Sequence, residues 1–130
     1  MNPVRGFWQK LIDEKISQGD TLTVVAPMAD VTDVAFRQMI AKYSRMHELG
    51  GGPDVMWTEF VSANGLCSPG REVLKRDLEF SDIERPIVAQ LFTAEPDKMR
   101  EAAKLCRELG FDGIDINMGC PDKRSFLMGL

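Results

Sequence analysis

The chain has 130 residues, a length that accommodates one ordinary domain. Its 44% hydrophobic and 28% charged residues are typical of a water-soluble globular protein, and no apolar run approaches the ~20 residues of a membrane span. The net charge of -4 argues against electrostatic binding of nucleic acid by this chain alone, because such binding needs a basic face.

Cysteine usage and the N-terminal stretch indicate a reducing compartment. The sequence contains Cys67, Cys106 and Cys120 but no CxxC pair, and MNPVRGFWQKLIDEK lacks the apolar core of a secretion signal. We therefore expect free thiols and a cytoplasmic location. The spacing of the cysteines and of the single histidine, His47, matches no common zinc pattern, so we expect no metal site.

The first predicted element is an amphipathic lead-in helix over residues 7–17, within a segment 1–20 that precedes the main domain. Its apolar residues recur at helical spacing and are Phe7, Trp8, Leu11, Ile12 and Ile16. The apolar, β-branched run LTVVA at 22–26 then predicts a buried strand. Pro27 ends this strand.

A second helix is predicted after Thr32 or Asp33, either of which can cap it. It ends before the glycine-rich loop at 50–53, and VMWT at 55–58 predicts the next strand. A helical link is expected around 62–78. Residues 71–85 carry nine charges of mixed sign, which favours a solvated surface segment.

The remaining elements are a buried strand at 87–92 (IVAQLF), a helix that begins near Pro96, and a strand at 113–118 (GIDINM). Gly110 suits the position just after the helix. The helix has one apolar stripe, which we interpret as core: Met99, Ala102, Ala103, Cys106 and Leu109.

This alternation of strands and helices predicts a parallel α/β sheet over residues 21–130. Right-handed crossovers leave an open doubly wound sheet or a (βα)8 barrel as the two usual outcomes. The sequence has no GxGxxG after the first predicted strand, so the dinucleotide fingerprint of the open fold is absent.

In either fold, chemistry is expected just beyond the carboxyl ends of the strands. The polar or reactive residues there include two amides, one thiol and a single carboxylate. Such a set suits hydrogen bonding to a flat, amide-rich ring better than metal hydrolysis. The residues at these ends are Pro27, Met28, Glu59, Gln90, Asn117 and Cys120.

Four motifs at these strand ends resemble one known family. APMADVTDVAFRQ, TEFVSA, PIVAQLF and DGIDINMGCP are similar to the N-terminal half of the tRNA-dihydrouridine synthases. The resemblance covers residues 22 to about 123. It implies an FMN-dependent (βα)8 TIM barrel, of which this chain would supply four parallel strands with their connecting helices.

The resemblance also implies roles for individual residues. Pro27 and Met28 would pack and hydrogen-bond against the FMN ring, and Gln90 would bond its pyrimidine edge. Asn117 would place the uracil, and Cys120 would be the general acid. NADPH would reduce FMN, hydride would pass to C6 of a uridine in tRNA, and the cysteine would protonate C5.

Simple chemistry is consistent with these roles. A thiol with an ordinary pKa near ~8.5 is mostly protonated at neutral pH and can donate a proton. A base inside folded RNA must be flipped out to reach such a site. Structural alternatives remain open for Gln90, Met28 and Glu59, the last of which could touch substrate or orient a neighbour, while Trp57 is expected in the core.

Two other functions compete with this interpretation. Another FMN barrel, of the dihydroorotate dehydrogenase kind, also carries an Asn-x-x-Cys-Pro turn, although APMADVTD and Gly119 favour the first family. An inactive, truncated half-barrel is the non-enzyme alternative. The family's remaining half would carry the phosphate loops and most of the tRNA surface, and a half-barrel would leave open edges that favour self-association.

Overall fold

Helices and parallel strands alternate along most of the chain. A computed structural model describes residues 6–44, 46–48 and 50–119. The helices are α1 (Phe7–Glu14), α2 (Val34–Tyr43), α3 (Ala63–Leu66), α4 (Arg71–Leu74) and α5 (Pro96–Glu108). The strands are β1 (Met56–Ser62), β2 (Ile87–Phe92) and β3 (Gly113–Ile116), and short 3-10 helices lie at Ile16–Gln18, Lys75–Leu78 and Asp82–Glu84. None of the described helices combines the length and the apolar character needed to cross a membrane.

The strands form one parallel sheet in the order β1-β2-β3. The first predicted strand, at 22–26, is reduced to one parallel bridge between Val24 and Val55, supported by a 3.1 Å hydrogen bond from Val25 N to the Val55 carbonyl. Val24 is 44% exposed, so this segment lacks the burial on both faces that the prediction assumed. The described residues thus form three strands and a bridge where the sequence predicted four strands.

The strand at 87–92 and the helix after it agree closely with the sequence. β2 is buried along its whole length, as its uninterrupted apolar run predicts. Pro96 occupies the first turn of α5, where its missing N–H is no loss. Gly110 follows the helix with φ 88°, in the left-handed region that favours glycine.

The main hydrophobic core lies between the sheet and α5. Ala89 and Leu91 of β2 belong to one buried cluster with Ala102 and Cys106 of α5. Cys106 is fully buried, which confirms the core role predicted for it, and this burial raises the pKa of its thiol to about 12. Because side chains alternate along a strand, Gln90 lies on the opposite face of the sheet.

The charged segment 71–85 is more deeply buried than its composition predicts. Leu78 is 3% exposed, and Glu84 is fully buried. The Glu84 Oε2 lies 2.7 Å from the Nε of Arg37 in α2, and Arg37 is itself 1% exposed. The surface prediction is wrong at these positions because an opposite charge allows a carboxylate to be buried.

Helix α1 packs on the sheet face that carries Gln90. The ring centroids of Trp8 in α1 and Trp57 in β1 are 6.1 Å apart. A Cβ on Gly113, at the start of β3, would stand 3.0 Å from the Trp8 ring and 3.1 Å from the Phe7 ring, so α1 approaches this strand closely at the glycine. α1 therefore covers the amino-terminal end of this face.

Candidate active site at the carboxyl ends of the strands

Three neighbouring strands contribute side chains to one polar cluster on the face opposite α5. The Oδ2 atom of Asp115 accepts hydrogen bonds from Gln90 Nε2 (2.7 Å) and from Trp57 Nε1 (3.2 Å). The Nδ2 atom of Asn117 lies 3.4 Å from Gln90 Oε1. Trp57, Gln90, Asp115 and Asn117 are termed the inner-face cluster below.

Strand register explains why these residues meet. Gln90 of β2 is the direct cross-strand partner of Asp115 in β3, so their side chains share a face. Asn117 lies two residues further along and therefore projects to the same side. Its backbone N–H donates to the Leu91 carbonyl (2.9 Å), and its Oδ1 accepts from Gly119 N (3.1 Å), which fixes the start of the turn after β3.

An irregularity in β1 shapes the edge of this cluster. The register with β2 shifts between Trp57 and Phe60, as in a β-bulge. The Oγ1 atom of Thr58, inside the bulge, accepts a 3.2 Å hydrogen bond from Gln90 N. Glu59, the other bulged residue, bonds the loop after the Val24 bridge through the backbone N–H of Asp30.

That loop, residues 27–33, is held by its own hydrogen bonds. Met28 N donates to Thr32 Oγ1 (2.9 Å), and the same hydroxyl donates to the Met28 carbonyl (3.1 Å). Asp30 has φ 58°, a left-handed conformation that aspartate tolerates and that its bond to Glu59 stabilises. The Met28 side chain is 41% exposed and available for packing, whereas its N–H already has a partner.

The buried Arg37 ties this loop to the segment after α4. Its Nη1 donates to the Thr32 carbonyl (2.6 Å) and its Nη2 to the Glu79 carbonyl (2.6 Å), while its Nε pairs with Glu84. Glu84 also accepts from Ser81 N (2.7 Å) and Ser81 Oγ (2.9 Å). Arg37, Thr32, Glu79, Ser81 and Glu84 are termed the Arg37 network.

The structure brings some of the predicted site residues together. Gln90 and Asn117 meet in the inner-face cluster, whereas Met28 and Glu59 belong to the neighbouring loop group, with Pro27 just before Met28. Cys120 lies outside the described residues.

Sequence reasoning missed Asp115 and took Trp57 for core, although the indole is half-buried and hydrogen-bonded. Strict alternation in the GIDIN stretch places Asp115 on the same side as Asn117, and this signal could have identified it.

The donor set of the inner-face cluster suits a planar ring that carries amide groups. Among the described residues, Gln90 Oε1 has the long 3.4 Å contact with Asn117, so it retains capacity to accept a further hydrogen bond. The Asn117 side chain can both donate and accept. A ring with N–H and C=O groups along one edge is the ligand that such amides match.

Comparisons with a family model and with individual relatives point to the same family. The model of the dihydrouridine synthase (Dus) family matches residues 24–128. The chain is 42% identical over 99 residues to the probable tRNA-dihydrouridine synthase 2 of Bacillus subtilis, and 40% identical over 99 residues to a probable tRNA-dihydrouridine synthase of Staphylococcus epidermidis. Each alignment covers 75% of this chain and 28% of the relative, so the chain spans less than a third of the length of these proteins.

Proposed function

Because the chain belongs to the dihydrouridine synthase family, we propose that residues 21–130 form the N-terminal half of the (βα)8 barrel of a tRNA-dihydrouridine synthase. The Val24 bridge, β1, β2 and β3 lie side by side in chain order and run parallel, which supports a barrel assignment. α1, from the segment 1–20, would close the amino-terminal end of the barrel interior.

The proposed reaction is the NADPH-driven, FMN-dependent reduction of uridine to dihydrouridine in tRNA. When bound, FMN supplies the hydride that NADPH provides, while the protein supplies binding, orientation and a proton. The observation that carries this proposal is the inner-face cluster, which brings together an amide in the carboxyl-terminal half of β2 and an amide just after β3 in a chain of this family. A cytoplasmic location follows from the proposed substrate.

Gln90 and Met28 are the proposed contacts to the flavin ring. The free acceptor capacity of Gln90 Oε1 matches an imide N–H on the pyrimidine edge. Met28 contributes its exposed side chain as a packing surface, because its N–H is donated to Thr32. Pro27 fixes the backbone that leads into this loop.

Asn117 and Cys120 are the proposed contacts to the substrate. The Asn117 amide, held by Gly119 N, would orient the flipped-out uracil, and the Cys120 thiol would donate a proton to C5. Glu59 is assigned the orienting role: its carboxylate bonds Asp30 N and so holds the loop that carries Met28.

Two substitutions of cysteine test the proposed reaction. The chain is incubated with FMN, NADPH and tRNA that lacks dihydrouridine, and the product is counted by mass spectrometry of nucleosides. Cys120→Ala should lower the rate by about 10²–10⁴-fold, the range for loss of a general acid, with flavin binding retained. Cys67→Ala, which removes an exposed thiol, is the matched control and should leave the rate unchanged.

The competing functions give different outcomes in the same assay. Oxidation of free dihydroorotate without reduction of tRNA would favour the dihydroorotate dehydrogenase class. A chain that leaves FMN unbound and tRNA unchanged would favour the inactive half-barrel.

We also propose that the sheet edges at the Val24 bridge and β3 pair with other copies of the chain. A monodisperse monomer in light scattering would rule this out.

A further inference from the structure

The carboxylate of Asp115 sits between two donors on neighbouring strands. Gln90 Nε2 approaches it at 2.7 Å from β2, and Trp57 Nε1 approaches the same oxygen at 3.2 Å from β1. The Trp57 ring packs beside Trp8 of α1, which restricts its rotation. The carboxylate is therefore held by one donor directly opposite it and by a second that lies nearer the amino-terminal end of the sheet.

This arrangement fixes which way the Gln90 amide points. A glutamine amide has nearly the same shape in its two flipped orientations, so its hydrogen-bond partners decide between them. An ionised carboxylate only accepts hydrogen bonds, and the flipped orientation would set the Gln90 oxygen against it. Nε2 must therefore face Asp115, and Oε1 faces Asn117 and the carboxyl end of the sheet.

We propose that Asp115 is a positioning residue that holds the Gln90 amide with its oxygen toward the ligand, so that the site selects a ring with an N–H donor at that edge. The identity of the ligand rests on the proposed function. The flavin ring meets the requirement, because its pyrimidine N3–H lies between two carbonyl groups. A ring methylated at that nitrogen offers no donor and would leave the buried Gln90 oxygen with the long 3.4 Å contact to Asn117 in place of a full hydrogen bond to the ligand.

The test compares FMN with N3-methyl FMN on three versions of the 130-residue chain. The unsubstituted chain should bind FMN about 10-fold or more tightly than the methylated analogue, as measured by quenching of flavin fluorescence. Asp115→Asn introduces a donor that lets the Gln90 amide flip, so this preference should fall several-fold. Asp112→Asn is the matched control: it makes the same change three residues earlier, where Asp112 pairs with Arg85 and Ile87 N, and the preference should remain.

A second readout needs no ligand. Nitrogen–proton NMR spectra should show that Asp115→Asn moves the Trp57 indole resonance and the Gln90 side-chain amide, while Asp112→Asn leaves both in place. Trp57→Phe identifies the indole peak, since the chain has two tryptophans. If the unsubstituted chain binds neither flavin, the proposed function fails, and these spectra still decide the position of Gln90.

Three results would overturn the proposal. The first is an unchanged Gln90 resonance in Asp115→Asn. The second is equal affinity of the unsubstituted chain for FMN and N3-methyl FMN. This result needs no variant, so it overturns the proposal even if Asp115→Asn does not fold. The third is an equal loss of affinity for both flavins in Asp115→Asn, since a merely structural carboxylate would weaken both alike.

Discussion

Two carboxylates that link distant parts of the chain, Glu84 and Asp115, occupy very different surroundings. Glu84 is fully buried, and a guanidinium nitrogen of Arg37 lies 2.7 Å from it. Asp115 is half-buried, and its hydrogen bonds come from the neutral Gln90 amide and the neutral Trp57 indole. One carboxylate is matched by a charge in the interior, and the other is matched by dipoles at the edge of the candidate site.

This difference indicates separate roles: Glu84 stabilises the fold, and Asp115 orients a ligand-binding side chain. A buried charge pair is costly to break, because removing one partner leaves the other unpaired in the interior. A carboxylate that accepts hydrogen bonds from neutral donors orients those donors, but it contributes less to the free energy of unfolding. The comparison therefore predicts that the Arg37 network determines stability and that the inner-face cluster determines ligand choice.

Breaking the Arg37 network should have the largest effect. Arg37→Met leaves the Glu84 carboxylate buried without its cation, and we expect a loss of about 3–5 kcal/mol in the free energy of unfolding. Urea denaturation followed by circular dichroism measures it. Arg100→Met is the control, because the Arg100–Asp97 pair is exposed on α5 and should contribute less than ~1 kcal/mol. Equal losses in the two variants would contradict the comparison.

A second prediction concerns Thr32, which belongs to the Arg37 network and also hydrogen-bonds the loop residue Met28 at the candidate site. Thr32→Val keeps the shape but removes the hydroxyl that bonds both Met28 N and the Met28 carbonyl, so we expect a loss of about 1–3 kcal/mol. Hydrogen exchange should also accelerate at Met28 N.

The control for this change is Thr23→Val, which removes one exposed hydrogen bond to Asp54. It should leave exchange at Met28 unchanged. If Thr32→Val alters stability but not exchange at Met28, then the Arg37 network and the loop are independent, and the two regions are more separate than proposed.

Sequence alone was sufficient where local pattern determines structure. IVAQLF at 87–92 forms a strand that is buried at every position, as its apolar run predicts. Pro96 and Gly110 mark the two ends of α5. The LTVVA run is also mostly apolar, but among the described residues it forms one bridge, at Val24, because a strand also needs neighbours that cover it. Composition could not reveal that difference.

Pairs that are distant in sequence were beyond such reasoning. Glu84 is buried because of Arg37, which lies 47 positions earlier, so a charged segment looked solvated. Gln90 and Asn117, which the structure brings into contact, were predicted from the motifs PIVAQLF and DGIDINMGCP and from their residue types near strand ends. Asp115 was missed although the alternation of GIDIN places it on the same side as Asn117, because only the register of β3 against β2 shows that it lies opposite Gln90.

The smallest predicted effect tests whether burial or the neighbouring cation explains the large contribution of the Glu84 ion pair to stability. Asp54 also has a cation, with Lys15 Nζ 2.8 Å from its Oδ1, but it lies near the surface. Burial raises the pKa of Asp54, yet hydrogen bonds from Lys15 and Thr23 outweigh it and leave the pKa below its usual value. A lowered pKa in the folded state means stability that is present at neutral pH and lost as pH falls below about 4. The urea midpoints of the unsubstituted chain and Asp54→Asn should therefore differ slightly at pH 7 and converge in acid. A loss at pH 7 as large as that of Arg37→Met would show that the cation matters more than burial.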